Sequence, residues 1–215
     1  MTTDTPTSNP GFLPRYSPTP GDFTTVPFGQ TPSQTVGPYL HIGLPWSDGP
    51  DVVPPGAVGG IKVSFTLLDG AGKPITDALV ETWQADAAGR FAHDDDPRGR
   101  AAPYPAGFRG FGRAVADETG VVVVHTIKPG TLPAEDGRTE APHIDVGIFA
   151  RGMLERLVTR MYFPDEADAN AADPVLSTIP ERRRSALIAE ATPDGYHLHI
   201  VVQGDNGLET PFFLL

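Results

Sequence analysis

One short stretch of the chain brings together side chains that could bind a metal ion. In EAPHIDVGIFARG, residues 140–152, His143 and Asp145 stand two positions apart in an alternating run that predicts a β-strand. Because successive side chains of a strand point to opposite faces, these two should share one face. An imidazole and a carboxylate are acceptable ligands for zinc or iron, yet two ligands alone make a weak site. The spacing by itself favours a structural role, and Arg151 follows where the predicted strand ends.

Two other groups of polar side chains give weaker signals. His197 and His199, in YHLHIVV, should share a strand face, but no carboxylate lies near them in the sequence, which favours a structural or interfacial role. The run HDDDPRGR concentrates Asp94, Asp95 and Asp96. A calcium loop would space its carboxylates two apart and add a distal bidentate acid, so this run is interpreted as a solvated loop.

The composition narrows the classes of protein to which the chain could belong. Its 215 residues suffice for one domain with a sizeable core, and the absence of cysteine excludes disulfides and thiolate metal sites. A formal net charge of -11 argues against nucleic-acid binding, which needs a cationic surface. The chain has no run of about eighteen apolar residues, and residues 1–20 lack the apolar core of a signal peptide. We therefore expect a cytoplasmic protein.

The hydrophobic pattern predicts an all-β protein. Two strands, residues 61–68 and 79–85, flank the turn DGAGKP, and Trp83 of the second strand is expected in the core. Five further segments are predicted to be strands: TGVVVVHTIKPG, PHIDVGIFAR, ERLVTRMYF, GYHLHIVVQG and TPFFLL. The one convincing helix is IPERRRSALIAEA, with Pro180 near its first turn. Strands of this spacing with long, irregular connections indicate a β-sandwich with one or two short helices.

The beginning of the chain has a different character. Residues 1–30 are rich in Thr, Pro, Ser and Gly with scattered aromatic residues, and such a segment cannot build a core of its own. We therefore expect an extended N-terminal arm over residues 1–30 and a sandwich domain over residues 31–215. The segment TPSQTVGPYLHIGL is interpreted as a turn-rich loop that enters a short strand. From the residues alone, the chain is a β-sandwich with an aromatic arm.

Six motifs, taken together, indicate more than the fold class. They occur in one order: TPSQTVGPYLHIGL, LVETWQADAAGRF, GFGRAVADETG, HTIKPG, APHIDVGIFARG and TRMYFPDEADANAADPVL. This series resembles the intradiol ring-cleaving dioxygenases, specifically the α-chain branch that acts on protocatechuate (3,4-dihydroxybenzoate), and the resemblance begins near Thr31. It implies a sandwich core, a hetero-oligomer of α and β chains, and a non-haem Fe(III) bound by two tyrosines and two histidines of the β chain. One departure is Phe65, where the family usually has glycine, which should affect packing more than chemistry.

The resemblance implies that this chain lacks a complete iron site. His143 falls on the first ligand position of the family's R-P-A-H-I-H-type run, but the second ligand position is Asp145. Leu132, in PGTLPAED, stands where one ligand tyrosine is expected. The second ligand tyrosine is expected in the loop around HDDDPRGRAAP, and Tyr104, which is nearby, is out of register with that position. Phenolate donors suit Fe(III), and one imidazole with one carboxylate could not compete with an intact site on a partner. The HID sequence is therefore interpreted as a remnant.

The functional residues that the resemblance implies lie on another surface. In this family the α chain lines the β chain's substrate cavity with its T-P-S-Q-T-x-G-P-Y loop and the arginine of its A-R-G motif, which here are Thr35, Gly37, Pro38 and Arg151. A planar guanidinium can hold an anionic group bidentately, and a Gly-Pro backbone offers a rigid surface with few side chains against a flat ring. A structural interface salt bridge is the alternative role for Arg151.

The implied activity is that of an α–β hetero-oligomer. Together with O2 it would convert 3,4-dihydroxybenzoate to 3-carboxy-cis,cis-muconate, at Fe(III) that the β subunit binds. Two rival hypotheses remain open at this point. One is an intradiol enzyme that binds its own iron, against which the missing tyrosines count. The other is a transthyretin-like binding module without an enzymatic partner, which should not expose a large apolar face when it is alone.

Overall fold

The computed structural model describes residues 34–96, 98, 105–204 and 207–214. These residues belong to one compact unit that runs from Gln34 to Leu215. The predicted arm, residues 1–30, lies outside the described residues, so the division of the chain at residue 30 stays a prediction. None of the helices in the described segments combines the length and the apolarity that a membrane crossing requires.

Within these segments, residues in strands greatly outnumber residues in helices, as the hydrophobic pattern predicts. The strands are β1 (Gly60–Leu68), β2 (Leu79–Trp83), β3 (Phe111–Val115), β4 (Val121–Ile127), β5 (Leu132–Pro133), β6 (Thr139–Glu140), β7 (His143–Phe149), β8 (Leu157–Tyr162), β9 (Glu190–Thr192) and β10 (Gly195–Val201). The α-helices are α1 (Tyr39–Gly43), α2 (Ala167–Ala172) and α3 (Glu181–Arg184), and two 3-10 turns cover Leu176–Thr178 and Ser185–Leu187.

Two four-stranded sheets form the sandwich. Their strand orders are β4-β1-β10-β9 and β3-β2-β7-β8, and a small third sheet pairs β5 with β6. The first sheet contains a parallel pair, β1 with β10, whereas the strands of the second sheet are antiparallel. Buried apolar side chains from both sheets meet in one cluster, so the two sheets share a single core. The predicted all-β sandwich is confirmed.

The core follows the alternation that the sequence displays. In β1, Val63, Phe65 and Leu67 have no exposed surface, while Ser64 and Thr66 between them are partly exposed on the outer face. Phe65 thus fills the interior of the sandwich at the position where glycine is usual in the resembling family. Complete burial of such a side chain contributes about 1.5 to 3 kcal/mol to folding, so Phe65 is part of the packed core.

The C-terminal segment is not the strand that its pattern predicts. Residues 210–214 have no strand structure; instead, the Thr210 N–H donates to the Val201 carbonyl of β10 at 2.9 Å, and the Phe213 N–H donates to the Val158 carbonyl of β8 at 2.8 Å. Because its two backbone donors reach different sheets, this segment connects the sheets rather than extending one of them.

The predicted helix over residues 179–191 is only partly present. α3 begins after Pro180, as predicted, and continues into the 3-10 turn 185–187. The Ala189 N–H then donates to the Tyr162 carbonyl at 2.9 Å. Pairing with the end of β8 thus extends the chain before the helix can continue, and β9 follows where the pattern predicts helix.

Three further predictions need correction. The short strand predicted after the TPSQTVGPYLHIGL loop is the helix α1, which has no buried residue. Trp83 is half-buried rather than in the core, because it occupies an outward position of β2 and stacks on Phe91 with ring centroids 5.6 Å apart. The sequence pattern also did not reveal β3, β9 or α2.

Strand β7 positions the residues on which the functional predictions depend. It lies between β2 and β8, with Trp83 opposite Asp145 on one side and Arg160 opposite Asp145 on the other. His143 begins the strand, and Arg151 comes just after its end. At about 3.3 Å per residue these two ends lie about 20 Å apart, so they cannot belong to one small-molecule site in this chain.

Phe65 offers a test of the packing. Replacing it with alanine should lower the free energy of unfolding by about 3 to 5 kcal/mol, because the side chain is fully buried between the sheets and leaves a cavity. Urea unfolding of both proteins measures the difference. Leu154→Ala, at a side chain 63% exposed, is the matched control and should change stability by less than about 0.5 kcal/mol. Equal losses in the two variants would contradict the assignment of the core.

Candidate functional site

His143 lies in a small cavity at the start of β7, which we call the histidine pocket. The cavity has a volume of about 210 Å³. Four separate strands supply its polar and apolar lining, and the loop after β2 completes it: Phe91, Arg98, Leu132, Pro133, Glu140, His143, Asp145 and Arg160. Both sequence-predicted remnant positions on β7 and Leu132 on β5 therefore meet in space.

The imidazole of His143 has a fixed orientation. Its Nδ1 lies 2.7 Å from the Ala141 carbonyl oxygen, which can only accept a hydrogen bond, so Nδ1 carries the hydrogen. Nε2 faces two carboxylates, at 3.5 Å from Glu140 Oε2 and 3.9 Å from Asp145 Oδ1. His143 and Asp145 share one face of the strand, as predicted. A backbone carbonyl on one ring nitrogen is the arrangement that orients a metal-ligating histidine.

A guanidinium occupies the space that faces these groups. Arg160, on β8, donates from Nη1 to Glu140 Oε2 at 2.7 Å and from Nε to Asp145 Oδ1 at 2.9 Å. Burial would lower the pKa of Arg160, but Asp145, Tyr162 and Glu140 outweigh it and raise the pKa above its ordinary value. The arginine is therefore a permanent cation, held by two carboxylates beside His143 Nε2.

A buried carboxylate supports the pocket from behind. Asp173 is completely buried and accepts hydrogen bonds from Tyr162 Oη at 3.1 Å, the Ala141 N–H at 2.8 Å and the Leu176 N–H at 2.6 Å. Because Ala141 in turn orients His143, Asp173 fixes the start of β7. Burial, together with Asp173, raises the pKa of Tyr162, so this phenol stays protonated and is not a phenolate donor.

The residues of the histidine pocket do not fit Fe(III). Leu132 lines the cavity with an apolar side chain where the resemblance implies a phenolate, and the Arg160 cation engages both carboxylates. Across the described ranges, no three His, Asp or Glu side chains are arranged so as to hold a metal ion. The position of Tyr104 lies outside the described residues.

The acidic run beside the pocket is only partly solvated. Asp94 and Asp95 are exposed, as predicted, but the prediction is wrong for Asp96, which is buried. Asp96 accepts hydrogen bonds from Arg98 Nε at 3.0 Å and Nη2 at 2.8 Å and from the Phe91 N–H at 2.9 Å. The Arg98 guanidinium holds the pKa of Asp96 far below its usual range. Asp96 thus orders the wall of the pocket.

At the opposite end of β7, the structure brings together the predicted substrate-lining residues. The Gly152 N–H donates to Thr35 Oγ1 at 2.9 Å, and the Val36 N–H donates to the Met153 carbonyl at 3.0 Å. These bonds tie Thr35–Pro38 to the turn Arg151–Met153, and we call the two segments the loop–turn cluster. Gly37 has a φ of +71°, a left-handed conformation that favours glycine, and a Cβ there would meet no atom within 4 Å.

The guanidinium of Arg151 forms an ion pair with Asp77 through Nε. Nε lies 3.1 Å from Asp77 Oδ2, and the Arg151 side chain is 70% exposed. Among the described residues, none accepts a hydrogen bond from its terminal nitrogens, so within that part of the chain this edge of the guanidinium is accessible. Sequence reasoning missed Asp77, because its position before β2 gives no signal of proximity to residue 151.

Several exposed apolar side chains follow the loop–turn cluster directly in the sequence. Tyr39 and Ile42 of α1 are 78% and 65% exposed, and Leu44 and Trp46 follow at 40% and 38%. Trp46 stacks on Phe111 of β3 with ring centroids 6.1 Å apart. Large apolar side chains grouped in this way are typical of a surface that another protein covers.

The second histidine pair lies on the other sheet. Both ring nitrogens of His197 meet hydroxyls, Nδ1 at 2.7 Å from Ser64 Oγ and Nε2 at 3.1 Å from Thr66 Oγ1. His199 packs edge-on against it at 4.6 Å between ring centroids. Burial, with His199 beside it, lowers the pKa of His197. These contacts are those of a neutral structural histidine rather than of a metal ligand.

A larger cavity that the sequence did not reveal lies on the outer face of the β3-β2-β7-β8 sheet. It has a volume of about 550 Å³ and aromatic walls from Trp83, Phe111 and Phe213. Its floor is Gly147, over which the side chain of Arg156 passes, since a Cβ at this glycine would lie 3.2 Å from Arg156 Cδ. The alternation of β2 could have indicated this cavity, because Trp83 is on the same face of the strand as the polar Glu81 and therefore points away from the core.

Comparison with known proteins places these features in a family. The family model Dioxygenase_C, described as Dioxygenase, matches residues 47–197. The protocatechuate 3,4-dioxygenase alpha chain of Burkholderia cepacia is 41% identical over 201 residues, which cover 86% of this chain and 96% of that protein. The beta chain from the same organism is 38% identical over 154 residues, covering 67% of this chain and 64% of that one.

A solved structure agrees with the fold. An intradiol ring-cleavage dioxygenase from Tetranychus urticae superposes with a TM-score of 0.51 at 23% identity, covering 75% of this chain and 88% of that chain. At this identity the likeness concerns the fold alone.

Asp173 provides a test of how the histidine pocket is supported. Replacing it with alanine should lower the free energy of unfolding by about 3 to 5 kcal/mol, because three buried donors would lose their acceptor. Asp168→Ala, at an exposed aspartate of α2, is the control and should change stability by less than about 0.5 kcal/mol. The measurement is chemical denaturation. A loss near zero at Asp173 would show that it does not hold the start of β7.

Proposed function

Because the chain belongs to the intradiol dioxygenase family, among the alpha chains of protocatechuate 3,4-dioxygenase, we propose that it is the metal-free subunit of an α–β ring-cleaving enzyme. The enzyme converts 3,4-dihydroxybenzoate and O2 to 3-carboxy-cis,cis-muconate. The observation that carries this proposal is the contrast between the two ends of β7. The histidine pocket is lined by an arginine that is paired with two carboxylates, whereas the exposed Arg151 guanidinium of the loop–turn cluster is paired only through Nε among the described residues.

The reaction centre belongs to the partner in this proposal. A β chain that binds Fe(III) through two tyrosines and two histidines supplies the activation of the catechol and of oxygen. The 38% identity to a β chain supports a partner of similar fold. Two chains of similar fold can pair about an approximate two-fold axis, which would set a surface of one chain against the active site of the other. The number of α–β units and the cytoplasmic location stay predictions.

This chain's own contribution is positioning. Protocatechuate carries a carboxylate, and the ring must be oriented accurately before oxygen can attack. Arg151 can bind an anionic or hydrogen-bonding group with its two terminal nitrogens while Asp77 holds Nε. Gly37 and Pro38 offer backbone without bulky side chains, against which an aromatic ring can lie. The hydrogen bond from Gly152 to Thr35 keeps the loop and the arginine together.

The exposed apolar residues that follow Pro38 support the proposal that a partner chain covers this surface. Tyr39, Ile42, Leu44 and Trp46 are exposed in this single chain, and burial of apolar area is the main driving force for stable association. Once a partner covers this region, Arg151 would lie in a water-poor environment. Its ion pair with Asp77, which contributes little while exposed, would then hold the guanidinium firmly.

Neither rival hypothesis has an observation in its favour. A self-sufficient intradiol enzyme would need the ligands that Leu132 and Asp145 replace in the histidine pocket, which Arg160 also lines. A solitary transthyretin-like module would not expose the apolar residues of α1 and the segment that follows it.

The first prediction concerns iron. Produced without a partner, the chain should bind no stoichiometric iron and should cleave no catechol, because Leu132 and Asp145 stand at ligand positions and Arg160 engages the carboxylates. Metal analysis and visible absorption of the purified chain measure this. His143→Ala is the control and should have the same iron content. A tight iron site with the colour of a tyrosinate-to-Fe(III) charge transfer would contradict the proposal.

The second prediction concerns Arg151. In the reconstituted α–β enzyme, Arg151→Ala should leave assembly and iron content near normal but lower kcat/KM for protocatechuate by about thirtyfold to several-hundredfold. This corresponds to about 2 to 4 kcal/mol, the scale of truncating one partner of a buried charge pair. Arg151→Lys should recover only part of the loss, because an ammonium restores the charge without the fork. Steady-state kinetics with iron determined for each preparation is the measurement.

Asp77→Asn separates the two roles of Arg151. If the guanidinium faces the substrate, this variant should impair turnover much less than Arg151→Ala, because the fork remains. If the ion pair only stabilises an interface, the two variants should impair assembly equally, and turnover per assembled unit should not change.

A further inference from the structure

The Arg160 guanidinium stands among three side chains that are all of a metal-binding type. Glu140 Oε2 and Asp145 Oδ1 accept its hydrogen bonds at 2.7 and 2.9 Å. His143 Nε2 faces the same two carboxylate oxygens at 3.5 and 3.9 Å. The side chain of Arg160 is only 18% exposed. Two carboxylates and one imidazole thus surround a cation that the chain itself provides.

While Arg160 is present these three side chains are not arranged to hold a metal ion, but the two spacings that involve His143 Nε2 are close to those of a coordination sphere. Ligand atoms that bind zinc at about 2.0 to 2.1 Å in a tetrahedron lie about 3.4 Å from one another. The distances from His143 Nε2 to the two carboxylates exceed this value by a few tenths of an ångström. Both carboxylates are on rotatable side chains, so they can move toward the imidazole once Arg160 no longer holds them.

Arg160 prevents that closure in two ways. It engages the carboxylate oxygens that would bind a metal ion, and its positive charge repels another cation at the same place. The hydrogen of His143 Nδ1 already points to the Ala141 carbonyl, so Nε2 would be ready to bind.

We propose that Arg160 is the residue that keeps this chain free of metal, and that the histidine pocket without it is a divalent-cation site formed by His143 Nε2, Glu140 and Asp145. The ligand set carries two negative charges and one neutral nitrogen, which suits Zn²⁺ or Co²⁺. It contains no phenolate, so it is not a restored Fe(III) site. The proposal concerns this chain alone and does not depend on its partner or on the substrate.

The experiment uses Arg160→Met in the full chain, because methionine has a similar length and no charge. Co²⁺ is the probe, since its visible absorption reports a nitrogen–oxygen ligand set, and thermal unfolding with and without Co²⁺ gives a second readout. The wild-type chain should show neither the absorption nor a shift in Tm at equimolar Co²⁺. Arg160→Met should bind roughly one Co²⁺ per chain and gain Tm when it does.

Two further variants control for charge and for ligands. Arg160→Lys keeps a cation and should bind no Co²⁺. Arg160→Met combined with Glu140→Gln and Asp145→Asn removes the carboxylates that repel each other, so it should fold and bind no Co²⁺. If Arg160→Met alone folds only when Co²⁺ is added, that result also supports the proposal, because the metal then replaces the missing cation.

Three outcomes would overturn it. The first is a wild-type chain that binds Co²⁺ with an absorption that His143→Ala removes. The second is a folded Arg160→Met variant that binds no Co²⁺. The third is an Arg160→Met variant that stays unfolded in Co²⁺, whatever the triple variant does, because Arg160 then fills a structural role that a metal ion cannot replace.

Discussion

The pairing of β7 between β2 and β8 is the constraint on which the rest of the structure depends. This strand begins in the histidine pocket and ends two residues before Arg151 of the loop–turn cluster. Its inward side chains, Ile144, Val146 and Ile148, are completely or almost completely buried. A slip of one residue would turn these apolar side chains outward and would carry His143 and Asp145 to the core face. The hydrophobic core therefore fixes the register, and the register fixes both sites.

The two ends of β7 use arginine in opposite ways. At its start, Arg160 is mostly buried and satisfied by two carboxylates, an arrangement in which removal of one member leaves an uncompensated charge. At its end, Arg151 is mostly exposed, with one edge on Asp77 and its fork unused. The first arginine closes a cavity and the second is open to a ligand. This distribution of charge is the basis of the proposal that the chain contributes to a site on a partner.

Much of the sandwich could be predicted from the sequence, because its central strands have the strict alternation of a sheet with one buried face. The residues that failed the prediction are those whose conformation depends on distant partners. Ala189 leaves the helical pattern because it pairs with Tyr162, and Thr210 and Phe213 attach to two different sheets. For the site, the resemblance predicted His143, Asp145, Leu132 and Arg151, and the structure shows that these positions lie near the two ends of β7. The sequence could not indicate that Arg160 and Asp77 contact these residues, because strand register and the proximity of loops cannot be deduced from one sequence.

The parallel pairing of β1 with β10 has a consequence for how the chain matures during its synthesis. Lys62 and Asp194 are in contact across this pairing although they are 132 positions apart. While the ribosome is delivering the residues between them, β1 can pair only with β4, and its other edge is open. An open strand edge is a template for aggregation, and contacts this far apart in sequence form slowly. The nascent chain thus has at least one unpaired edge of β1 until residues 195–201 have been synthesised, and over this interval that edge is open to pairing with other chains.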